Sequence, residues 1–388
     1  MDFSFIISQL DFLQSQNAFK LREILLFQFP QATNSELSEL SESIFLSKRL
    51  KEKAFPFSYW NFSTQIFEQA TDFRIATFHS EILKKHCKHI LDGCGGAGFD
   101  SLAFSKSGFK VTCSEINQKN YLNLEKNKTI YQIEGLKLIQ TNFLELNPND
   151  FSAIYLDPMR RKDSGRFVEL EDYEPSFSKI LNWLPLKIPV LIKVSPLLKI
   201  TDNLRNDFQL VYVGLNRECK EVLLARNIET LKKENLFIWE SNKLINLENL
   251  QQTPNLDFES LDKIEFIYEP HSALLKSNRH NEFSNSLNLR KPSEDCGYFF
   301  GNNTHVEHLY ERYQLIDKQY YKLSLLFEYL KNNPTFNFTF KKKNSNVDLE
   351  IYSRKMKWQK NQKELIIFIS EVNGKTVFWV GSHIKLEY

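Results

Sequence analysis

No stretch constrains the fold of this chain more than residues 90–115, ILDGCGGAGFDSLAFSKSGFKVTCSE. A short apolar run stops at Asp92. Gly93, Gly95, Gly96 and Gly98 follow, residues 101–107 carry helical spacing, and 109–113 is a second apolar run closed by Glu115. Glycine tolerates positive φ and lets a ligand approach bare backbone. The helix behind such a loop offers free N–H groups and the positive end of its dipole. An acid at the end of the second strand can hold both hydroxyls of a bound ribose. The stretch therefore reads as strand, loop, helix, strand around a nucleoside-like ligand. A glycine-rich turn with no ligand is the alternative.

Length and composition set the frame. A chain of 388 residues predicts two or three domains, and 42% hydrophobic residues with 33 Phe can fill a sizeable core. The net charge of +2 makes the whole molecule neither a polyanion nor a polycation. Five cysteines, at 87, 94, 113, 219 and 296, form no CxxC pair, so neither a zinc site nor a disulfide framework is expected. No metal is expected either. Asp2 and Asp11 replace the basic start of a signal peptide, and no run approaches the ~20 apolar residues of a membrane span. A soluble, cytoplasmic protein is the expectation.

Residues 1–85 read as a helical domain, with Asn34 capping its third helix and one long helix from Thr64 to Lys85. Arg74, His79 and Ser80 lie near the end of that helix, close to where a bound ligand should sit, but each alone reads as an ordinary surface position. From His89 to Arg226, strands at 89–92, 109–114, 137–141, 152–157, 188–194, 208–214 and 219–226 alternate with helices. This is a βαβ array with a mostly parallel sheet, spanning a domain at 86–230. The last two strands are too close for a helix and should form an antiparallel hairpin. Ligands of such sheets bind at the carboxyl ends of the strands, where Asp92, Glu115, Asn142 and Asp157 all fall. A small α+β connecting module is expected at 231–310 and a mixed module at 311–388. Asn373-Gly374 is a type I′ turn signal between strands 365–371 and 376–381.

An acid opens the loop in Asp92-Gly93-Cys94-Gly95-Gly96-Ala97-Gly98. A carboxylate there repels a pyrophosphate and attracts a cationic amino-acid tail. This form resembles the S-adenosylmethionine loop of class I methyltransferases, D/E-x-G-x-G-x-G. Together with LDPMRR (156–161), LIKVSP (191–196), RECKE (217–221) and YEPHSALLK (268–276), it is similar to the bacterial class I methyltransferases that carry a C-terminal THUMP-like domain. The resemblance covers nearly the whole chain. It implies a Rossmann-like seven-stranded sheet with an N-terminal helical domain and C-terminal α+β modules, ferredoxin-like or THUMP-like. It implies S-adenosylmethionine as cofactor and RNA as substrate class, with a base nitrogen favoured.

Carried over residue by residue, Asp92, Gly93, Gly95 and Gly98 would hold the methionine moiety. Glu115 would hold the ribose, and Asn142 and Phe143 the adenine, with Ile116 and Asp157 also in the cofactor site. Asp157-Pro158 stands where amino methyltransferases have [DNS]-P-P-[YFW], whose acid and backbone carbonyl accept the target N–H. Here Met159 and Arg160 replace the second proline and the aromatic. Arg160 and Arg161 suit a substrate phosphate, or pair with the acids at 169–174. Lys193 closes the fifth strand on the substrate side. Cys219, between acids and without an activating His, reads as structural rather than as a nucleophile.

Between 331 and 388 eleven Lys or Arg face five Asp or Glu. That basic segment, with Lys341, Lys342 and Lys343 at its centre, suits a polyanion; a solvated face is the alternative. The rival reading from another class is a non-catalytic RNA-binding or assembly protein that retains a methyltransferase fold. An enzyme acting on a small molecule or protein is a third.

Overall fold

The computed structural model describes residues 3–85, 88–160, 169–248, 263–306, 308–317, 319–354, 359–360 and 362–384. The chain divides into two compact units. The first comprises residues 1–211 and 221–233, the second 212–220 and 234–388. The helical residues at the N-terminus therefore belong to the same unit as the βαβ array.

Six helices lead into the sheet: Ser4–Ser8, Leu10–Ser15, Ala18–Gln28, Asn34–Ser47, Thr64–Gln69 and Phe73–Leu83. Thr33, not Asn34, caps the fourth. Its hydroxyl accepts from the Glu36 N–H while the Glu36 carboxylate accepts from the Thr33 N–H, a reciprocal capping box. The helix expected from Thr64 to Lys85 is two helices. Asp72 breaks it by leaving helical φ/ψ and accepting from the Arg74 N–H as the cap of the second. The break matters, because it frees Thr71 to turn towards the sheet.

The N-terminal helices carry their own core around Ile6, Leu13, Leu21, Leu25 and Ile44. A second core joins Phe55, Trp60, Phe62 and Phe67 to Phe99 and Leu102 of the helix behind the glycine loop. Each such side chain stabilises by about 1.5–3 kcal/mol on full burial. Trp60 Nε1 also donates to the Ala97 carbonyl at 2.8 Å, fixing the loop from outside.

The first unit holds strands β1 (His89–Asp92), β2 (Lys110–Ser114), β3 (Leu136–Ile139), β4 (Ala153–Leu156), β5 (Met159–Arg160), β6 (Tyr173–Glu174) and β7 (Val190–Val194), and β8 (Gln209–Leu215) and β9 (Glu218–Arg226) up to their hairpin tip at residues 212–220. β5 and β6 form a separate two-residue ribbon. The main sheet runs β8-β9-β7-β4-β1-β2-β3. β1–β4 and β7 are parallel, and β9 is antiparallel to β7. Asn216 and Arg217 both take positive φ at the β8–β9 turn, the backbone a two-residue hairpin loop requires.

The second unit begins with the hairpin tip and continues through β10 (Glu234–Ile238) and β11 (Lys243–Asn246), which lie in turn beside β8. The sheet thus has nine strands rather than the seven expected. β12 (Phe266–Pro270), β13 (Phe299–Gly301), β14 (Tyr310–Leu315), β15 (Tyr321–Lys322), β16 (Phe336–Lys342), β17 (Lys363–Val372) and β18 (Lys375–His383) make a second sheet in the order β13-β12-β14-β18-β17-β16, with β15 on β18. The boundary expected near 310 falls inside this one sheet, between β13 and β14. β17 and β18 turn through Asn373 and Gly374 at φ 49° and 72°.

Candidate active site

Register alone gathers the polar residues of the first unit. Asp92 lies opposite Tyr155, Tyr155 opposite Leu191, and Lys193 opposite Leu223. Side chains two apart share a face. Asp92, Tyr155, Asp157, Lys193 and Glu221 therefore all stand on one face of the sheet.

The glycine loop is shaped by its own carboxylates. Asp92 is buried; one oxygen accepts from the Cys94 N–H at 3.2 Å and the other from the Ser101 hydroxyl at 2.6 Å. Burial, with Asp100 nearby, pushes its pKa up to about 7. Glu115 takes the Gly96 N–H at 2.8 Å on one oxygen and the Asn117 N–H at 2.7 Å on the other. Burial raises its pKa, and those two amides oppose the rise.

Gly98 caps the helix Phe99–Lys106 at φ 80°, where a Cβ would also lie 2.5 Å from Leu124. A Cβ on Gly93 or Gly95 would meet Leu156 at 2.4 Å or the Cys113 sulfur at 2.6 Å, so those two are fixed by packing. The open side of the loop is Gly96, where a Cβ would meet nothing closer than 3.8 Å.

The two residues expected at an adenine behave differently. Phe143 is buried against Gly93 and sits edge-on to Trp183, while Asn142 accepts from the Leu144 N–H as a cap. Ile116 is 68% exposed beside the buried Glu115 and offers the free apolar surface.

Asp157 follows β4, and its Oδ2 accepts from Lys193 Nζ at 2.7 Å. Lys193 Nζ also donates to Thr71 Oγ1 at 3.0 Å. Burial raises the Asp157 pKa and Lys193 opposes it. Burial pulls the Lys193 pKa down, but Asp157, Glu221 and Asp100 outweigh it and the ammonium is held charged. Pro158 is buried, whereas Met159 and Arg160 are exposed on the β5–β6 ribbon. Arg161 lies outside the described residues. Tyr173, on β6, accepts from the Ser195 N–H at 2.8 Å and ties the ribbon to the end of β7.

Beneath this edge lies a set of charged residues whose pairing the sequence did not show. His79 and Ser80 are buried, not surface positions. His79 Nδ1 is 2.8 Å from Asp100 and Nε2 2.5 Å from Glu221. Burial lowers the histidine pKa, but Glu221 and Asp100 together overcome it and lift it to about 9. Asp100 is held below its usual range: burial opposes, yet His79, Lys193 and a hydrogen bond from Thr71 prevail. Lys53 stands near Lys193 and caps the helix Thr64–Gln69 through the Glu68 and Ala70 carbonyls. Burial, then Lys193, lowers its pKa to about 8. Only the pairing of unlike residue types could have flagged these positions, and no short spacing joins them.

The basic triplet of the second unit is not a free cluster. Lys341 bridges Glu269 at 2.8 Å and Glu311 at 3.3 Å, and Lys343 reaches Glu269 at 3.1 Å. Glu269 and Glu311 lie directly opposite each other on β12 and β14, so Lys341 relieves a like-charge pair. Lys342 is exposed and donates to the Val347 carbonyl. Among the described residues, no helix is long and apolar enough to cross a membrane.

Residues 64–157 match the family model described as tellurite resistance protein TehB, which is less than half of the chain. No curated protein matches the chain. The 16S rRNA N2 G1207 methyltransferase of Thermus thermophilus, solved with AdoMet and guanosine, aligns over 40% of this chain and 43% of its own, at 16% identity and a TM-score of 0.32. A methyltransferase candidate from Streptococcus mutans, solved with SAH, aligns over 30% of this chain and 70% of its own, at 15% identity and 0.24. A methyltransferase candidate from Porphyromonas gingivalis W83 superimposes with a TM-score of 0.72 at 19% identity, over 99% of this chain and 100% of that one. The chain shares that protein's α/β fold from end to end.

Proposed function

We propose that this chain is an S-adenosylmethionine-dependent methyltransferase that modifies a nitrogen of RNA. The observation that carries the reading is the Asp157 carboxylate, partly exposed at the end of β4 and held by Lys193, on the same sheet edge as the glycine loop and Glu115. The residues fit such a cofactor. Gly96 leaves bare backbone on the loop's open side, Glu115 keeps acceptor capacity for ribose hydroxyls, and exposed Ile116 offers an apolar face to a base. Asp92, Gly93, Gly95 and Gly98 build the loop that receives the methionine end, with Asn142 and Phe143 closing the adenine side.

When bound, S-adenosylmethionine would supply an electrophilic methyl group on a sulfonium, the S–C electron pair staying on sulfur as the new N–C bond forms. The Asp157 carboxylate accepts the target N–H, aims the nitrogen lone pair, and takes the proton once nitrogen has become cationic. Positioning of this kind accounts for much of the rate in displacement reactions. Exposed Arg160 suits a substrate phosphate, and Arg161, outside the described residues, is proposed to share that role.

The basic C-terminal segment supports an RNA substrate. With Lys341 and Lys343 committed to Glu269, the phosphate contacts of that triplet fall chiefly to Lys342, joined by the exposed Lys331, Lys363 and Lys375. Replacing Lys342, Lys363 and Lys375 by Gln should weaken RNA binding across sequences and flatten its salt dependence, since each lost phosphate contact removes one counterion released. Filter binding at two salt concentrations reads this. An unchanged slope removes the support for RNA contact there.

The decisive experiment is tritiated methyl transfer to total RNA, total protein and small-molecule pools in parallel. Label is expected in RNA, and Asp157→Ala should lower it by about 100-fold. Label in protein alone overturns the substrate class. No label anywhere, with S-adenosylhomocysteine still bound, favours a non-catalytic RNA-binding protein.

A further inference from the structure

Five charged side chains in the first unit alternate in sign. Glu221 meets His79, His79 meets Asp100, Asp100 attracts Lys193, and Lys193 meets Thr71 and Asp157. Exposure rises along the series. The side chains of His79 and Glu221 are 0% and 2% exposed, Asp100 11%, Lys193 15% and Asp157 31%. A fully buried anchor thus ends on one carboxylate at the sheet's carboxyl edge. Among the described residues, only Oδ2 of that carboxylate has a partner.

Resting on the methyl-transfer reading, we propose that Lys193 is the positioning residue of the acceptor site: drawn between Thr71 and Asp157, it fixes one Asp157 oxygen and leaves the other for a substrate N–H. Burial pushes the Asp157 pKa up and the Lys193 ammonium opposes that rise, which favours the accepting carboxylate form. The Asp157 oxygen left free accepts only, which suits an uncharged N–H donor such as an exocyclic amino group.

The geometry explains why Lys193 can do this and a surface lysine could not. Its ammonium is desolvated, so its attraction to Asp157 is little screened. Thr71 holds it from the side, at the break between the helices Thr64–Gln69 and Phe73–Leu83. Asp100 and Glu221 keep it charged. Tyr155 stands buried on the same face, its ring centroid 5.2 Å from that of His79.

The test uses the full-length protein and three forms: wild type, Lys193→Met and Thr71→Val. Carbon NMR of labelled carboxyl groups, with the Asp157 signal assigned from Asp157→Asn, reads its titration without any need for turnover. In Lys193→Met its midpoint should rise by about one to three pH units, the usual effect of a nearby opposite charge. In Thr71→Val it should rise by less. Methyl transfer to RNA by Lys193→Met should fall by about 100-fold at neutral pH, with its acid limb moved to higher pH.

S-adenosylhomocysteine calorimetry on each form should give the wild-type affinity, which shows that fold and cofactor pocket are intact. An unchanged Asp157 midpoint in Lys193→Met overturns the proposal, as does undiminished transfer. If Lys193→Met does not fold, Thr71→Val decides, and an unchanged midpoint there overturns it equally. A wild type that labels no pool defeats the methyl-transfer reading, while the NMR titration still decides whether Lys193 controls Asp157.

Discussion

Replacing His79 by leucine is expected to destabilise the first unit by about 3–5 kcal/mol, because it leaves two buried carboxylates without their shared cation. Asp100 and Glu221 both point at the imidazole, at 2.8 and 2.5 Å, and the side chain of Glu221 is 2% exposed. Both residues are buried, so water does not replace the imidazole around them. Each must then either take a proton or repel the other. The expected readout is a lower denaturant midpoint with an unchanged slope.

The pH dependence has a definite sign. The folded-state histidine pKa of about 9 lies above its ordinary value, so the folded state binds the proton more tightly. The resulting stability is complete below the unfolded value near pH 6.5 and is lost as pH rises through about 9. Wild type should therefore lose stability between about pH 7 and 9, and His79→Leu should show no such loss. Equal stability of the two proteins at pH 6 would show that the charge series contributes nothing to folding.

Glu115→Ala is expected to lower S-adenosylhomocysteine affinity by about 100-fold, two charge-assisted hydrogen bonds' worth at the low end of their range. The loss has two sources. The ribose acceptor disappears, and so does the carboxylate that fixes the loop through the Gly96 N–H and the following turn through the Asn117 N–H. Glu115→Gln separates them. Its amide can accept from only one of the two backbone donors and turns an N–H towards the other, so it should bind more weakly than wild type and better than alanine. Calorimetry on the three forms reads the order. Equal affinity in all three would remove Glu115 from the cofactor site. An absence of wild-type binding at millimolar ligand would remove the cofactor.

The sequence by itself determined what is local. Apolar runs of four or five residues broken by glycine and acid marked β1, β2 and β4. The gap too short for a helix marked the β8–β9 hairpin, and Asn373-Gly374 marked the β17–β18 turn. Asp92, Glu115 and Asp157 were legible as strand-end acids because the carboxyl end of a parallel strand is a position that counting along the chain can reach. The capping of the fourth helix went to Thr33, and the long helix broke at Asp72, because side-chain hydrogen bonds to backbone settle such ends.

Only the tertiary structure decided which acids meet which bases. His79 is 21 positions from Asp100 and 142 from Glu221, and Lys193 is 122 from Thr71. No periodicity encodes those separations; they are set by which strands become neighbours and which face each residue takes. Lys341 and Lys343 make the same point in the second unit. In sequence they are a basic run, but the two directly opposed glutamates on β12 and β14 claim them. A charge read along the chain shows what a residue can bind. Its partner in the fold determines what it does bind, because at about 3 Å a desolvated opposite charge outweighs anything in solvent.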